Sequence, residues 1–285
     1  MKLIILMLIV LACIIIFILA KSFHEINTIT TKAYAIPIPK LKSDKNIVFF
    51  SDFHSVAKKG YIDKLVNEIK KANPQCIVIG GDMIVGKKGA NNKPAIELLE
   101  KLAKEFKIYY VYGNHESRMF ERKIQDEDGY FEFLTSQTNV EILNNKSTKI
   151  QLDNVSLNLT GLEFSDVYYK KGKSQRPKIT EIEDKLLKTE HYSIVVCHKP
   201  EFFEVISQTE ADLVLAGHNH GGIVRFPFIG GIVSTSYRLF PRYSYGLYKK
   251  NNCKMILSSG IGTHTIHFRL FNPPEIVNIC FCRKK

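Results

Sequence analysis

From Asn46 onward the chain repeats one pattern, a short apolar run that ends in polar, chemically capable residues. IVFF runs into SDFH, CIVIGG into DMI, IYYVY into GNHE, SIVV into CHKP and DLVLA into GHNH. Between these runs, Tyr61 to Ala72 and Pro94 to Phe106 space their apolar residues at the helical period. Strands alternating with helices predict a sheet buried on both faces, with functional groups gathered at the carboxyl ends of the strands. From Gly221 the pattern changes to glycine, tyrosine and alternating polarity. YSYGLYKKNNCKMILSSG reads as a hairpin around KKNN, and a second, more antiparallel sheet packed on the first would take it up.

The first residues obey a different rule. Leu3 to Ala20 contain neither charge nor helix breaker. As a helix they cover about 27 Å of a hydrocarbon layer roughly 30 Å thick, which predicts one N-terminal transmembrane helix. A cleaved signal sequence is the competing reading, but its apolar stretch is usually shorter and ILA before Lys21 is a poor cleavage site. The polar stretch that follows, with Pro37 and Pro39, reads as a linker or an edge strand. The expected organisation is an anchor over 1–22, a linker over 23–44 and a catalytic domain over 45–285. Lys21, Lys32 and Lys40 after the apolar run favour a cytoplasmic catalytic portion.

A length of 285 residues with 45% hydrophobic content suits one large core. Six cysteines, one of them in the membrane run, form no disulfide framework. Cys76 and Cys197 fall in or beside strand-like runs, as small buried hydrophobes do in a reducing compartment. The net charge of +12 is compatible with a phosphate-rich partner or an anionic membrane. The lysines and asparagines of KKGANNKP, NNKSTK and YKKNNCK, however, read as solvated loop residues. No arginine-rich helix or zinc-finger spacing is present, so no specific nucleic-acid partner is expected.

The strand ends carry Asp52 and His54, Asp82, Asn114 and His115, His198, and finally His218 and His220. On an extended segment residues two apart point the same way, which would bring Asp52 beside His54 and His218 beside His220. Carboxylates, an amide oxygen and imidazoles suit manganese, iron or zinc, and the lack of a matching thiolate argues against a structural zinc site. Cys197, next to His198, would face into packing. These are more ligands than one ion uses, whereas two divalent ions about 3.5–4 Å apart and sharing a carboxylate would use them all. The glycines flanking His218 and His220 would keep side chains out of the space for metal and substrate. Glu116 reads as an orienting group or an exposed helix-start acid rather than a ligand. Arg225 and Arg269 are candidates for bidentate contact with a substrate phosphate.

Taken together, the ordered blocks SDFH, GD, GNHE, CHKP and GHNH resemble those of the calcineurin-like metallophosphoesterases. The resemblance covers nearly all of the chain after Asn46. The tail SSGIGTHTIHFRLFNPPEIVNI and the preceding GGIVRFPFIG look like the membrane-associated YkuE/YaeI-type branch, which is similar to pyrophosphatases acting on a nucleotide-linked lipid. The resemblance implies an α/β fold, a four-layer αββα sandwich of two mixed sheets flanked by helices. It further implies that Asp52, His54 and His220 hold one metal, Asn114, His198 and His218 a second, and Asp82 bridges them. His115 would be a non-ligand catalytic residue that binds a phosphoryl oxygen or protonates the leaving group. The implied activity is hydrolysis of a phosphoester or phosphoanhydride on a phosphorylated, lipid-linked substrate. A secreted or surface nuclease or phosphodiesterase and a catalytically silent membrane scaffold are the alternatives.

Overall fold

The computed structural model describes residues 1–169, 175–187, 190–226, 228–234, 239–263 and 267–283. Pro227 and residues 264–266, which belong to the two tail motifs, lie outside them.

The alternating runs form two six-stranded sheets laid face to face. The first contains β1 (Thr30–Ile38), β2 (Lys45–Phe50), β3 (Cys76–Ile79), β4 (Ile108–Tyr110), β5 (Val140–Ile142) and the C-terminal strand. The second contains β6 (Lys146–Leu152), β7 (Val155–Leu162), β8 (Ser193–Cys197) and β9 (Leu213–Ala216). A small ribbon, β10 (Arg225–Phe226) and β11 (Gly230–Gly231), precedes β12 (Gly246–Lys250) and β13 (Cys253–Leu257), which complete the second sheet; β14 (Glu275–Arg283) is the C-terminal strand. The sheet orders are β1-β14-β2-β3-β4-β5 and β12-β13-β9-β8-β7-β6. The expected hairpin is present, with Lys250 opposite Cys253.

Strand periodicity sorts each run between two cores, since successive side chains point to opposite faces. Ile47, Phe49 and Val78 meet Leu159, Val196 and Leu215 between the sheets. Val48, Phe50, Ile77 and Ile79 face outward, under α2 (Tyr61–Lys71) and α3 (Lys93–Ala103). Across the molecule Val195, Cys197 and Val214 are covered by Phe202, Phe203 and Ile206, beside the short helices α6 (Ile179–Glu183) and α7 (Phe203–Ile206). The helices α4 (Asn114–Glu121) and α5 (Tyr130–Ser136) stand at the end of the first sheet. The expected four-layer αββα sandwich of mixed sheets is therefore the fold. Cys76 and Cys197 are buried as expected, and burial pushes both thiols up to about 12.

The segment 23–44 is not a free linker. The N-terminal helix α1 runs over Lys2–Glu25, past the expected boundary. β1 then pairs in parallel with β14 along nine residues, from Thr30–Glu275 to Ile38–Arg283. Ile36, Ile38 and Leu41 are buried in the inter-sheet core. The residues of α1 up to Leu19 stand almost wholly exposed, whereas its last turn is fastened to the body. Ser22 Oγ accepts the Arg269 N–H at 3.1 Å, and the Glu25 carboxylate accepts the Asn272 N–H at 2.7 Å.

Candidate metal centre

The ligand-type residues sit just beyond the carboxyl ends of β2, β3, β4, β8 and β9. Their loops are laced to one another by backbone bonds: the N–H groups of Asp52, His54 and Ser55 donate to Gly81 O, Asp82 O and Met83 O. On the other side, Ile261 N–H and Gly262 N–H donate to Ser51 O and Asp52 O. Asp52 and His54 are not extended, as the sequence suggested. Their φ angles are 58° and 48°, and Asp82 (53°), His218 (72°) and His220 (48°) share the left-handed conformation. That conformation costs L-residues roughly 1–2 kcal/mol each, and its clustering here marks a site where geometry is held against local preference.

These turns bring the ligand-type side chains together. Donor atoms of Asp52, His54 and His220 lie within 4.8 Å of one another, as do those of Asp82, His198 and His218, and those of His54, Asp82 and His115. His54 Nε2 and His220 Nε2 are 3.1 Å apart, and His220 Nε2 is 3.3 Å from Asp52 Oδ1. His198 Nε2 lies 3.1 Å from Asp82 Oδ2 and 3.8 Å from Asp52 Oδ1. Asn114 opens α4, and its buried Oδ1 has no hydrogen-bond partner among the described residues.

This donor set fits divalent cations. A buried amide oxygen without a partner costs roughly 1–3 kcal/mol, which an ion would offset. Burial works against a charge on His198, but the carboxylates of Asp82 and Asp52 outweigh it and raise its pKa to about 10. The same negative field would favour a metal ion at Nε2 in place of the proton, which binding would release. Burial and the charge of His198 keep His218 neutral, the state that ligates. Asp52, although burial pushes its pKa up to about 6, is ionised at neutral pH. Cys197 points away into the third core, so no thiolate joins the set.

Two histidines in this cluster are wired in opposite senses. The Nδ1 of His198 lies 2.6 Å from Gly80 O and must donate to it, which turns Nε2 to the carboxylates as a ligand. The Nδ1 of His115 accepts the Gly86 N–H at 2.9 Å. An amide N–H only donates, so this nitrogen is bare and the neutral ring carries its proton on Nε2. The contact admits no substituent, because a Cβ on Gly86 would lie 2.4 Å from His115 O.

Glu116 ties the loops together and is no ligand. Its Oε2 accepts the N–H groups of Asp82 and Gly113, and its Oε1 those of Met83 and the Tyr110 hydroxyl. Burial and the charge of Asp82 push its pKa up to about 6, so it is ionised at neutral pH and its lone pairs are fully engaged.

Several expectations need correction. Arg269 is 2% exposed, and its guanidinium donates to the carbonyls of Ser259, Gly260, Gly262 and Asn272, leaving no fork for a phosphate. Arg225 donates through Nε to Phe271 O and stacks 3.7 Å from the centre of the Tyr245 ring, while its buried Nη1 has no hydrogen-bond partner among the described residues. The glycine before His218 does not clear room for substrate. A Cβ on Gly217 would stand 2.3 Å from Ser51 Oγ and 2.4 Å from Asp52 Oδ2, so this glycine lets two loops touch. Asn92, in a stretch read as solvated loop, is buried and accepts the Val85 N–H and the Ser55 hydroxyl. Tyr169 was missed altogether: its ring lies edge-on to His218 at 5.4 Å, in a tyrosine- and lysine-rich stretch with no periodic signal.

Residues 45–222 match the family described as calcineurin-like phosphoesterase. The chain is 30% identical over 269 residues to an uncharacterized metallophosphoesterase of Campylobacter jejuni, a match covering 93% of this chain and 67% of that protein. It is 30% identical over 252 residues to a metallophosphoesterase of Helicobacter pylori, covering 86% of this chain and 62% of that protein. With the metallophosphoesterase YkuE of Bacillus subtilis it shares 25% identity over 256 residues, 89% of this chain and 84% of that one. The chain thus spans about two thirds of the length of the Campylobacter relative and less than that of the Helicobacter one.

Proposed function

The chain belongs to the calcineurin-like phosphoesterase family, and from that premise we infer that it is a membrane-anchored phosphohydrolase using two divalent metal ions. Manganese, iron and zinc all suit the donors. Asp52, His54 and His220 would hold one ion, Asn114, His198 and His218 the other, with Asp82 between them. When bound, the ions supply positive charge that polarises a phosphoryl group and acidifies water.

The observation that carries the reading is the opposed wiring of His198 and His115. His198 turns Nε2 toward the carboxylates, where a cation would displace its proton, whereas His115 offers a proton from the same cluster. Protonating His115 Nδ1 would set it against the Gly86 N–H, so the ring stays neutral. His115 therefore acts as a fixed hydrogen-bond donor to a phosphoryl oxygen as negative charge accumulates there, rather than as an acid that surrenders its proton. Such a donor is worth about 10²–10³ in turnover. His115→Ala is expected to lose that much while keeping its metal. His115→Gln, whose amide donates but cannot release a proton at neutral pH, should recover part of the loss. Steady-state rates with metal analysis decide: equal loss in both variants would restore an acid role, and loss of metal would make His115 a ligand.

The substrate proposed is a phosphoester or phosphoanhydride on a lipid. A cavity of about 540 Å³ reaches His54 and His115 and is lined on the way by Val56, Ala57, Ile261, Pro274 and Ile26, the residue that follows α1. Lys58 and Lys87 also line it. An apolar wall starting at the end of a membrane helix, with lysines beside it, suits an amphipathic phosphorylated molecule. The support for the anchor is α1 itself, which is long and apolar enough to cross a membrane and is not covered by the body.

A further inference from the structure

We propose that the hairpin formed by β10 and β11, with Leu239 and Phe240 beside it, dips into the bilayer beside α1 as a second, non-spanning membrane contact. The proposal rests on the reading of α1 as a membrane span.

Large exposed apolar side chains are unevenly placed on this molecule. Among the described residues outside α1 they are Phe120, Leu187, Phe226, Phe228, Ile229, Leu239, Phe240 and Leu247. Five of these eight fall between 226 and 240, and Phe228 at the turn is wholly exposed. Leu239 and Phe240 lie alongside, since Val233 bridges to Leu239 and the Phe240 N–H donates to Ile232 O at 2.8 Å. A contiguous apolar projection on a folded domain marks a contact surface.

Its root identifies the partner. Val224 bridges to Leu270, Arg225 Nε donates to Phe271 O, and the rings of Phe226 and Phe271 are 5.6 Å apart. The same short segment receives the end of the helix: Lys21 Nζ lies 5.7 Å from the centre of the Phe271 ring, and the Asn272 N–H binds Glu25. Hairpin and helix thus emerge from one segment, with Lys21 and Glu25 marking where the apolar helix meets its polar end. A surface continuous with that end meets the interfacial zone of the membrane, where aromatic side chains beside cationic ones are favoured. The contact would fix the body's tilt and keep the cavity mouth by Ile26 at the headgroups.

The chain contains no tryptophan, so single tryptophans report without background. The test uses the full chain in phosphatidylcholine vesicles, with acyl chains either brominated or not. Phe228→Trp should emit at shorter wavelength than in denaturant and be quenched several-fold by the brominated lipid. Phe17→Trp, within α1, should be quenched likewise, and Phe120→Trp, on α4, should not. An unquenched, water-like Phe228→Trp beside a quenched Phe17→Trp would overturn the hairpin contact while leaving the span intact. A blue-shifted but unquenched Phe228→Trp would replace the lipid with a second copy of the chain, and would equally overturn the proposal. Failure of Phe17→Trp to be quenched would remove the span, and with it the basis for placing the hairpin beside one.

Discussion

Asp82→Asn is expected to abolish turnover and release most of the bound metal while leaving the fold intact. The substitution is isosteric, and its Oδ1 can still accept the His115 N–H, as Asp82 does at 2.8 Å. What disappears is the charge. In the native protein burial would raise the pKa of Asp82, but the charged His198, which also hydrogen-bonds to it, outweighs burial and holds the carboxylate ionised well below the usual range. Asp82 groups with His198 and His218 and also with His54, so it reaches ligands of both proposed ion sites, and one substitution would weaken both. The loss of metal affinity should exceed the roughly 10–100-fold that follows removal of an outer partner of a ligand. Metal analysis after gel filtration, with circular dichroism to verify folding, checks it. Two retained equivalents and near-native turnover would show that Asp82 is not shared.

The second large effect concerns the N-terminus. Deleting residues 1–20 should leave a folded, metal-binding protein, whereas deleting 1–43 should not. The longer deletion removes β1 and exposes β14 as a bare edge. It also takes Ile36, Ile38 and Leu41 out of the inter-sheet core. Burying such side chains contributes about 1.5–3 kcal/mol each, and three of them rival the net stability of about 5–15 kcal/mol of a typical domain. A further link runs to the site itself. Glu25 fixes the Asn272 N–H, while the Asn272 side chain donates to His220 O at 2.6 Å and to Gly222 O. The GHNH turn therefore depends on a residue in the last turn of the helix. Thermal unfolding of the two truncations compares them: a chain beginning at Asp44 that melts with the full protein and binds metal equally would show that the 23–44 segment is dispensable.

The sandwich was legible because its strands are written in residues that declare both faces at once. Phe49 and Phe50, or Val195 and Val196, are adjacent and point into different cores, so an unbroken apolar run could only be a strand covered on both sides. The ligand-type residues were legible by type and by position, at the ends of those runs. Two things were not. Pairing between β1 and β14 joins opposite ends of the chain, and the alternation of Thr30 to Ile38 is diluted by edge exposure and by Pro37. The left-handed loops were equally hidden, because DFH and HNH read locally as extended, while the first is laced to Gly81, Asp82 and Met83 and the second is held by the Gly217 N–H on His198 O and the His218 N–H on the Asp52 carboxylate. Arg269 illustrates the same limit. Its guanidinium is consumed by three carbonyls of the serine- and glycine-rich loop 259–262 and by that of Asn272, and a bare arginine near a phosphate site looks like a ligand until those carbonyls are located.

The central claim, that two ions act together at Asp82, is tested most directly by titrating metal into metal-free full-length protein while following hydrolysis of a phosphodiester. The account predicts little turnover at one equivalent, a steep rise with the second and a plateau at two per chain. Full turnover at a single equivalent, or turnover in rigorously metal-free protein, would contradict it.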